Sequence, residues 1–190
     1  MLPDKLFDAT PHVLPGLLLL RPATVMDSFG WVSVVYDEGL LGNLGIHDRF
    51  HRDIIVYADR RGTVQGLHYQ LAPQQQARLL RVLRGSAFVA AVDVRRGSPT
   101  FGRSATITIS YMDGAQFYAM PGFALGWCSL EPATELLVKT SAEDRPDLQR
   151  GINWRDPALK LDWPVRAADA LIGVEDVGLP MLADQTDLPD

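Results

Sequence analysis

Chemistry near neutral pH is sought first among the four histidines of this sequence, His12, His47, His51 and His68, because imidazole ordinarily titrates in that range. His47 and His51 stand four apart beside Asp48 and Asp53, a spacing open to a metal pair. Ligation needs three or four converging donors, so the reading adopted is a polar surface turn. His68 is different. It lies in Gly66-Leu67-His68-Tyr69-Gln70, between two strand-like segments. There an imidazole points into a barrel rather than across a turn, and taken alone it reads as a hydrogen-bonded core residue. Cys128 is the only cysteine, so no internal disulfide can form and a reducing cytoplasm is the expected compartment.

Positioning such a histidine falls to short strands. Residues 11–22 read as a first strand region broken by Pro15 and Gly16, and Val32–Tyr36 is β-branched and aromatic. Ile54–Ala58, Leu79–Leu83, Ala87–Val94, Ala105–Ser110, Phe117–Met120 and Glu135–Thr140 follow as strands. Arg61-Gly62, Gly85-Ser86, Gly97-Ser98-Pro99, Asp113-Gly114 and Pro121-Gly122 are the turns between them. Helices are expected only near 37–43 and over Arg166–Ile172. Strands repeating about every ten residues predict a sandwich or barrel. The reading is one all-β domain over 1–190, with an N-terminal arm and strands (1–60), a core barrel (61–140) and a C-terminal extension (141–190).

The chain of 190 residues is 47% hydrophobic and 22% charged, the balance of a folded globular protein. Its longest aliphatic run, Leu17–Leu20, is far too short to cross a bilayer, and residues 1–10 lack the basic and apolar halves of a secretory signal. The net charge of −5 matches the five carboxylates of the last twenty residues, Glu175, Asp176, Asp184, Asp187 and Asp190, a stretch with no Lys or Arg. With no basic stripe interleaved with aromatics, neither nucleic acid nor a membrane is an expected partner. An acidic end of this kind reads first as a solvated tail.

A family resemblance runs through the middle of the chain. Gly66-Leu-His-Tyr-Gln70, Gln76 with Leu79 and Gly85, and Val92-Asp-Val-Arg-Arg-Gly-Ser-Pro-Thr-Phe-Gly102 come in order. Pro121-Gly-Phe-Ala124, Ile152-Asn-Trp-Arg-Asp-Pro157 and Leu161-Asp-Trp-Pro164 continue it. Together they resemble the dTDP-4-dehydrorhamnose 3,5-epimerase family, from about Thr10 to Leu182. The resemblance implies a cupin-type jelly roll and a homodimer that exchanges N-terminal strands. It also implies a keto-sugar nucleotide as substrate and an isomerase that removes a proton next to a ketone. Many cupins hold a metal through His-x-His and a later histidine; Gln70 and Leu125 occupy those positions here, so neither metal nor other cofactor is implied. Carried over by position, the base is His68, the carboxylate that orients it is Asp176, and the cation that steadies the enolate oxygen is Arg78. Gln65, Gln70, Gln76 and Gln149 fall on substrate-binding positions.

Departures are numerous and share a direction. The family's proton-donating tyrosine falls on Val138, and three cationic positions become Phe29, Gln65 and Glu175. Ile54, Ile55, Leu125, Asp144 and Gln149 also replace residues of the family pattern. Fewer cations weaken the charge-assisted bonds that hold a pyrophosphate. The sequence therefore reads as a divergent epimerase acting at one carbon or two, with the returning proton supplied by Tyr118 or water. Two alternatives keep the fold: an isomerase or cyclase acting on a non-nucleotide carbonyl compound, and a non-catalytic binding protein.

Overall fold

Strict alternation in Ala105-Thr-Ile-Thr-Ile-Ser110 produces a strand with Ala105 and Ile109 buried and Thr106 and Thr108 exposed, the signature of a sheet with one wet face. The computed structural model describes residues 5–190; the first four residues of the expected N-terminal arm lie outside them. The described residues form, in chain order, β1 (Phe7–Pro11), β2 (Leu17–Pro22), β3 (Thr24–Asp27), β4 (Gly30–Ser33) and α1 (Glu38–Asn43). Then come β5 (Arg52–Ala58), β6 (Thr63–Gln70), β7 (Arg78–Arg84), β8 (Ser86–Asp93) and β9 (Ser104–Ser110). The last are β10 (Gln116–Ala119), β11 (Phe123–Ser129), β12 (Thr134–Thr140), β13 (Gln149–Gly151) and β14 (Leu171–Ile172).

Two sheets face one another as a jelly roll of the cupin type. One runs β1-β2-β10-β7-β12-β5; the other runs β13-β6-β11-β8-β9, with β14 also on β6. Between them lies an apolar core that includes Leu80, Val82, Val89, Ile109, Phe117, Phe123 and Leu136. The outer face of the first sheet is covered by the N-terminal segment, where Phe7, Leu41 and Ile46 pack on Leu79 and Tyr118. The outer face of the second is covered by the C-terminal segment, through Ile152, Leu159 and Leu182. Trp154, with Trp163 beside it, packs on Val64 and Cys128. Burying apolar surface at roughly 25 cal/mol per Å² favours both covers.

Several elements differ from the sequence expectation. The helix expected over Arg166–Ile172 is a turn leading into β14, because Leu171 and Ile172 pair in parallel with Thr63 and Val64 of β6; the free strand edge offers more backbone bonds than an isolated helical turn. β11 lacks alternation because all seven of its residues are buried. His68, expected between strands, lies inside β6. The short helix near 37–43 forms as α1, its first turn capped by the Asp37 carboxylate accepting from the Leu40 N–H.

One buried carboxylate organises the 93–103 loop. Asp93 is fully buried and accepts from the Arg95 guanidinium, the Ser98 and Thr100 hydroxyls and the Arg95 N–H. Burial alone would raise its pKa, but these bonds outweigh it and hold the group near about 2. Asp93→Asn should therefore cost about 1.5–3 kcal/mol in urea denaturation at neutral pH. A depressed folded pKa stabilises above the unfolded value and is lost as pH falls through the folded one. The gap between wild type and variant should stay open down to about pH 4 and narrow towards about pH 2.

Candidate active site

Along β6 the side chains would alternate, sending Gln65 and Leu67 to one face and Gly66 and His68 to the other. They do not. Against β11, Leu125 lies opposite His68 and Trp127 opposite Gln65, so three steps of β6 span two of β11. This bulge turns Gln65 and His68 into the same cavity, while Leu67 is buried on the far side with Tyr69 and Val92. Gly66 makes it possible. Its φ is +97°, and a Cβ there would lie 2.5 Å from the Leu125 carbonyl oxygen, so only glycine fits without strain.

The bulge leaves the Gly66 N–H without a strand partner, and Asp176 takes it up. Its Oδ2 accepts from Gly66 N–H at 2.8 Å, and its Oδ1 lies 2.5 Å from His68 Nε2. β14 delivers this carboxylate: once Leu171 and Ile172 pair with the start of β6, the 3-10 turn Val174–Asp176 falls beneath the bulge. The Asp176 side chain is fully buried and that of His68 is 14% exposed. An ionised carboxylate only accepts, so Nε2 carries the proton and the Nδ1 lone pair is left free. Nδ1 has no hydrogen-bond partner among the described residues. The carboxylate, which the charge pattern alone placed in a solvated tail, is thus buried against an imidazole.

The cavity, of about 230 Å³, lies between the sheets. Gln65, His68, Leu125 and Trp127 come from one sheet; Ile54, Val56, Arg78, Leu80, Val138 and Thr140 come from the other, with Gln76, Asp144 and Gln149 also lining it. Arg78 donates to the His68 carbonyl at 2.9 Å and, through Nε and Nη2, to Gln76 Oε1. Burial pulls its pKa down to about 10, still far enough above neutrality to leave a cation beside the base. Two of its five N–H groups remain for an oxygen in the cavity. Gln76 in turn donates to the Ala142 carbonyl and to Asp144, which is paired with Arg52.

The other expected residues fall in varied places. Gln65 and Gln149 border the cavity. Gln70 does not; it is buried, donating to the Gln74 and Glu143 carbonyls and accepting from the Arg145 N–H. Tyr118, considered as a proton donor, is on the opposite face of its sheet, packed with Leu79 and donating to Asp48 at 2.6 Å. Phe29 is 74% exposed at the turn between β3 and β4. His47 and His51 are exposed, and among the described residues no three His, Cys, Asp or Glu side chains gather as a metal site. Trp127, Leu80 and Val56 were not singled out beforehand. Nothing in a fully buried strand such as β11 marks which of its side chains faces a cavity, although the inward alternation of Ile54 and Val56 on β5 was open to reading.

A jelly-roll cavity holding an oriented imidazole, a buried carboxylate and an adjacent fixed cation defines an acid–base enzyme of the isomerase type. Comparison with known proteins assigns the family: residues 11–184 match the model for dTDP-4-dehydrorhamnose 3,5-epimerase. A dTDP-4-dehydrorhamnose 3,5-epimerase of Pseudomonas aeruginosa is 35% identical over 163 residues, covering 86% of this chain and 90% of the relative. The dTDP-6-deoxy-D-glucose-3,5-epimerase of Legionella pneumophila, solved with dTDP-4-keto-L-rhamnose, superposes with a TM-score of 0.90 at 30% identity, over 96% of this chain and 97% of that one. A 3′-monoepimerase of Streptomyces bikiniensis, solved with dTDP-quinovose, gives 0.82 at 25% identity over 91% and 88%. The chain belongs to the dTDP-4-dehydrorhamnose 3,5-epimerase family and is a divergent epimerase-type isomerase within it.

Asp176→Asn tests the dyad. If the amide oxygen keeps the Gly66 bond, its NH₂ meets Nε2 and forces the imidazole proton onto Nδ1, removing the base. The expected loss in turnover is about 10²–10⁴-fold with little change in melting temperature; an unchanged rate would remove Asp176 from the mechanism.

Proposed function

We propose that this protein enolises a 4-keto-6-deoxyhexose carried on a nucleotide diphosphate, inverting at a single carbon, as a cytoplasmic homodimer. The observation that carries the reading is the Asp176–His68 pair with Nδ1 left free beside Arg78. His68 Nδ1 takes the proton from the carbon next to the ketone. The electron pair moves onto the ketone oxygen, and Arg78 stabilises the charge that develops there. Asp176 stabilises the imidazolium until the proton leaves. Across the cavity stand Ile54, Val56, Leu80 and Val138, none of which can donate a proton. The second proton comes from water entering the cavity, and full double inversion is not expected. Support for the dimer comes from exposed apolar side chains, Met26, Phe29, Trp31 and Val32 on the β3–β4 hairpin and Ile55 and Tyr57 on β5, surface that a second copy would cover.

One observation favours a second reading, in which the substrate is a carbonyl compound without a nucleotide. Arg78 is the one arginine lining the cavity among the described residues, and nearby Arg52 is neutralised by Asp144, leaving little charge for a pyrophosphate.

Incubation with dTDP-4-keto-6-deoxyglucose in D₂O, followed by NMR and mass spectrometry, should show deuterium at one ring carbon, abolished by His68→Ala. Uptake at two carbons would contradict the single-site course. If there is no uptake and millimolar dTDP leaves the melting temperature unmoved, the substrate is not a nucleotide sugar, because a ligand of the native state must raise it.

A further inference from the structure

The bulge that aims His68 into the cavity also brings Gln65 opposite Trp127. Trp127, only 6% exposed, donates its indole N–H to Gln65 Oε1 at 3.0 Å. An indole nitrogen can only donate. The bond therefore decides which way the amide faces: Oε1 towards the indole, and both N–H groups of Nε2 away from it. Nε2 makes no hydrogen bond among the described residues, and it is not among the buried polar atoms left without a partner. Both side chains border the cavity. Among the four glutamines singled out in the sequence, Gln76 and Gln70 have their amides engaged with loop carbonyls and Arg78. Gln65 is the one held by a side chain whose own polar atom serves nothing else.

Resting on the enolisation proposed above, we propose that Trp127 is a positioning residue that acts through Gln65, presenting its NH₂ to an uncharged sugar oxygen next to the carbon that His68 deprotonates. A neutral donor discriminates by geometry. It strengthens as charge grows on a carbonyl or hydroxyl oxygen but lacks the cation that would draw in a phosphate. Left unpinned, the amide would populate both orientations, and one of them would aim its oxygen at the substrate's.

Kinetics of deuterium uptake by the full-length protein separate this from a packing role. Gln65→Ala should lower kcat about tenfold or more, and Gln65→Glu, which still accepts from the indole but cannot donate, should lower it at least as far. Trp127→Phe, which removes the N–H but keeps most of the bulk, should lower kcat several-fold with KM within about twofold. Combined with Gln65→Ala, it should cause no further loss. Losses that multiply in the double variant, or a change confined to KM, would overturn the proposal. If wild type takes up no deuterium, the enolisation reading fails instead. The pair is then judged in the free protein by NMR, where an indole N–H resonance of Trp127 unmoved by Gln65→Ala would show that the bond does not exist.

Discussion

Everything functional in this fold depends on one carboxylate bridging two groups that a strand irregularity leaves exposed. Asp176 joins the Gly66 N–H and His68 Nε2 from 110 and 108 positions away. A buried backbone donor without a partner costs about 1–3 kcal/mol, and a buried carboxylate without partners costs more. Each meets the need of the other, and the imidazole bond comes with them. In the proposed mechanism stability and catalysis therefore share an atom group: the same interaction closes the C-terminal cover over β6 and sets the tautomer of His68.

The rest of the molecule serves to hold that arrangement in place. β13 and β14 pair with opposite ends of the same edge of β6, leaving the bulge between them for Asp176. The C-terminal segment packs its apolar side chains against the outer face of the second sheet; Asp176 is buried beneath it, while Glu175, Asp184, Asp187 and Asp190 stay exposed. Inside, the wall facing His68 is aliphatic where a proton donor would be needed for reprotonation from the opposite face. The polar chain Asp144–Gln76–Arg78 then fixes the only cation deep in the cavity. An oriented base with a fixed cation and no opposed acid makes enolisation the chemistry the site can do unaided.

Much of the fold was legible in the sequence because alternation and turn residues are local signals: β5, β9 and β12 follow them. β11 was not, since burial on both faces erases the period. The Arg166–Ile172 segment had helical composition, and an unpaired strand edge outweighed it. Within the site, His68, Arg78 and Asp176 were reached through the family resemblance, which carries positions that spacing cannot. Its limits show at Gln70, whose amide is engaged by loop carbonyls; Tyr118, considered in place of the missing donor, is one position out of phase with the inward-facing residues of β10. The Trp127–Gln65 bond depends on a register shift between two strands, a property of the pair that neither segment displays alone.

The central claim is that Asp176 holds the His68 proton on Nε2 and leaves Nδ1 as the base. Long-range proton–nitrogen correlation NMR on imidazole-labelled protein near neutral pH reads this directly. The account predicts that the neutral form of the imidazole carries its proton on Nε2, with Nδ1 showing the shift of an unprotonated ring nitrogen. A proton found on Nδ1, with Nε2 bare against the carboxylate, would contradict it.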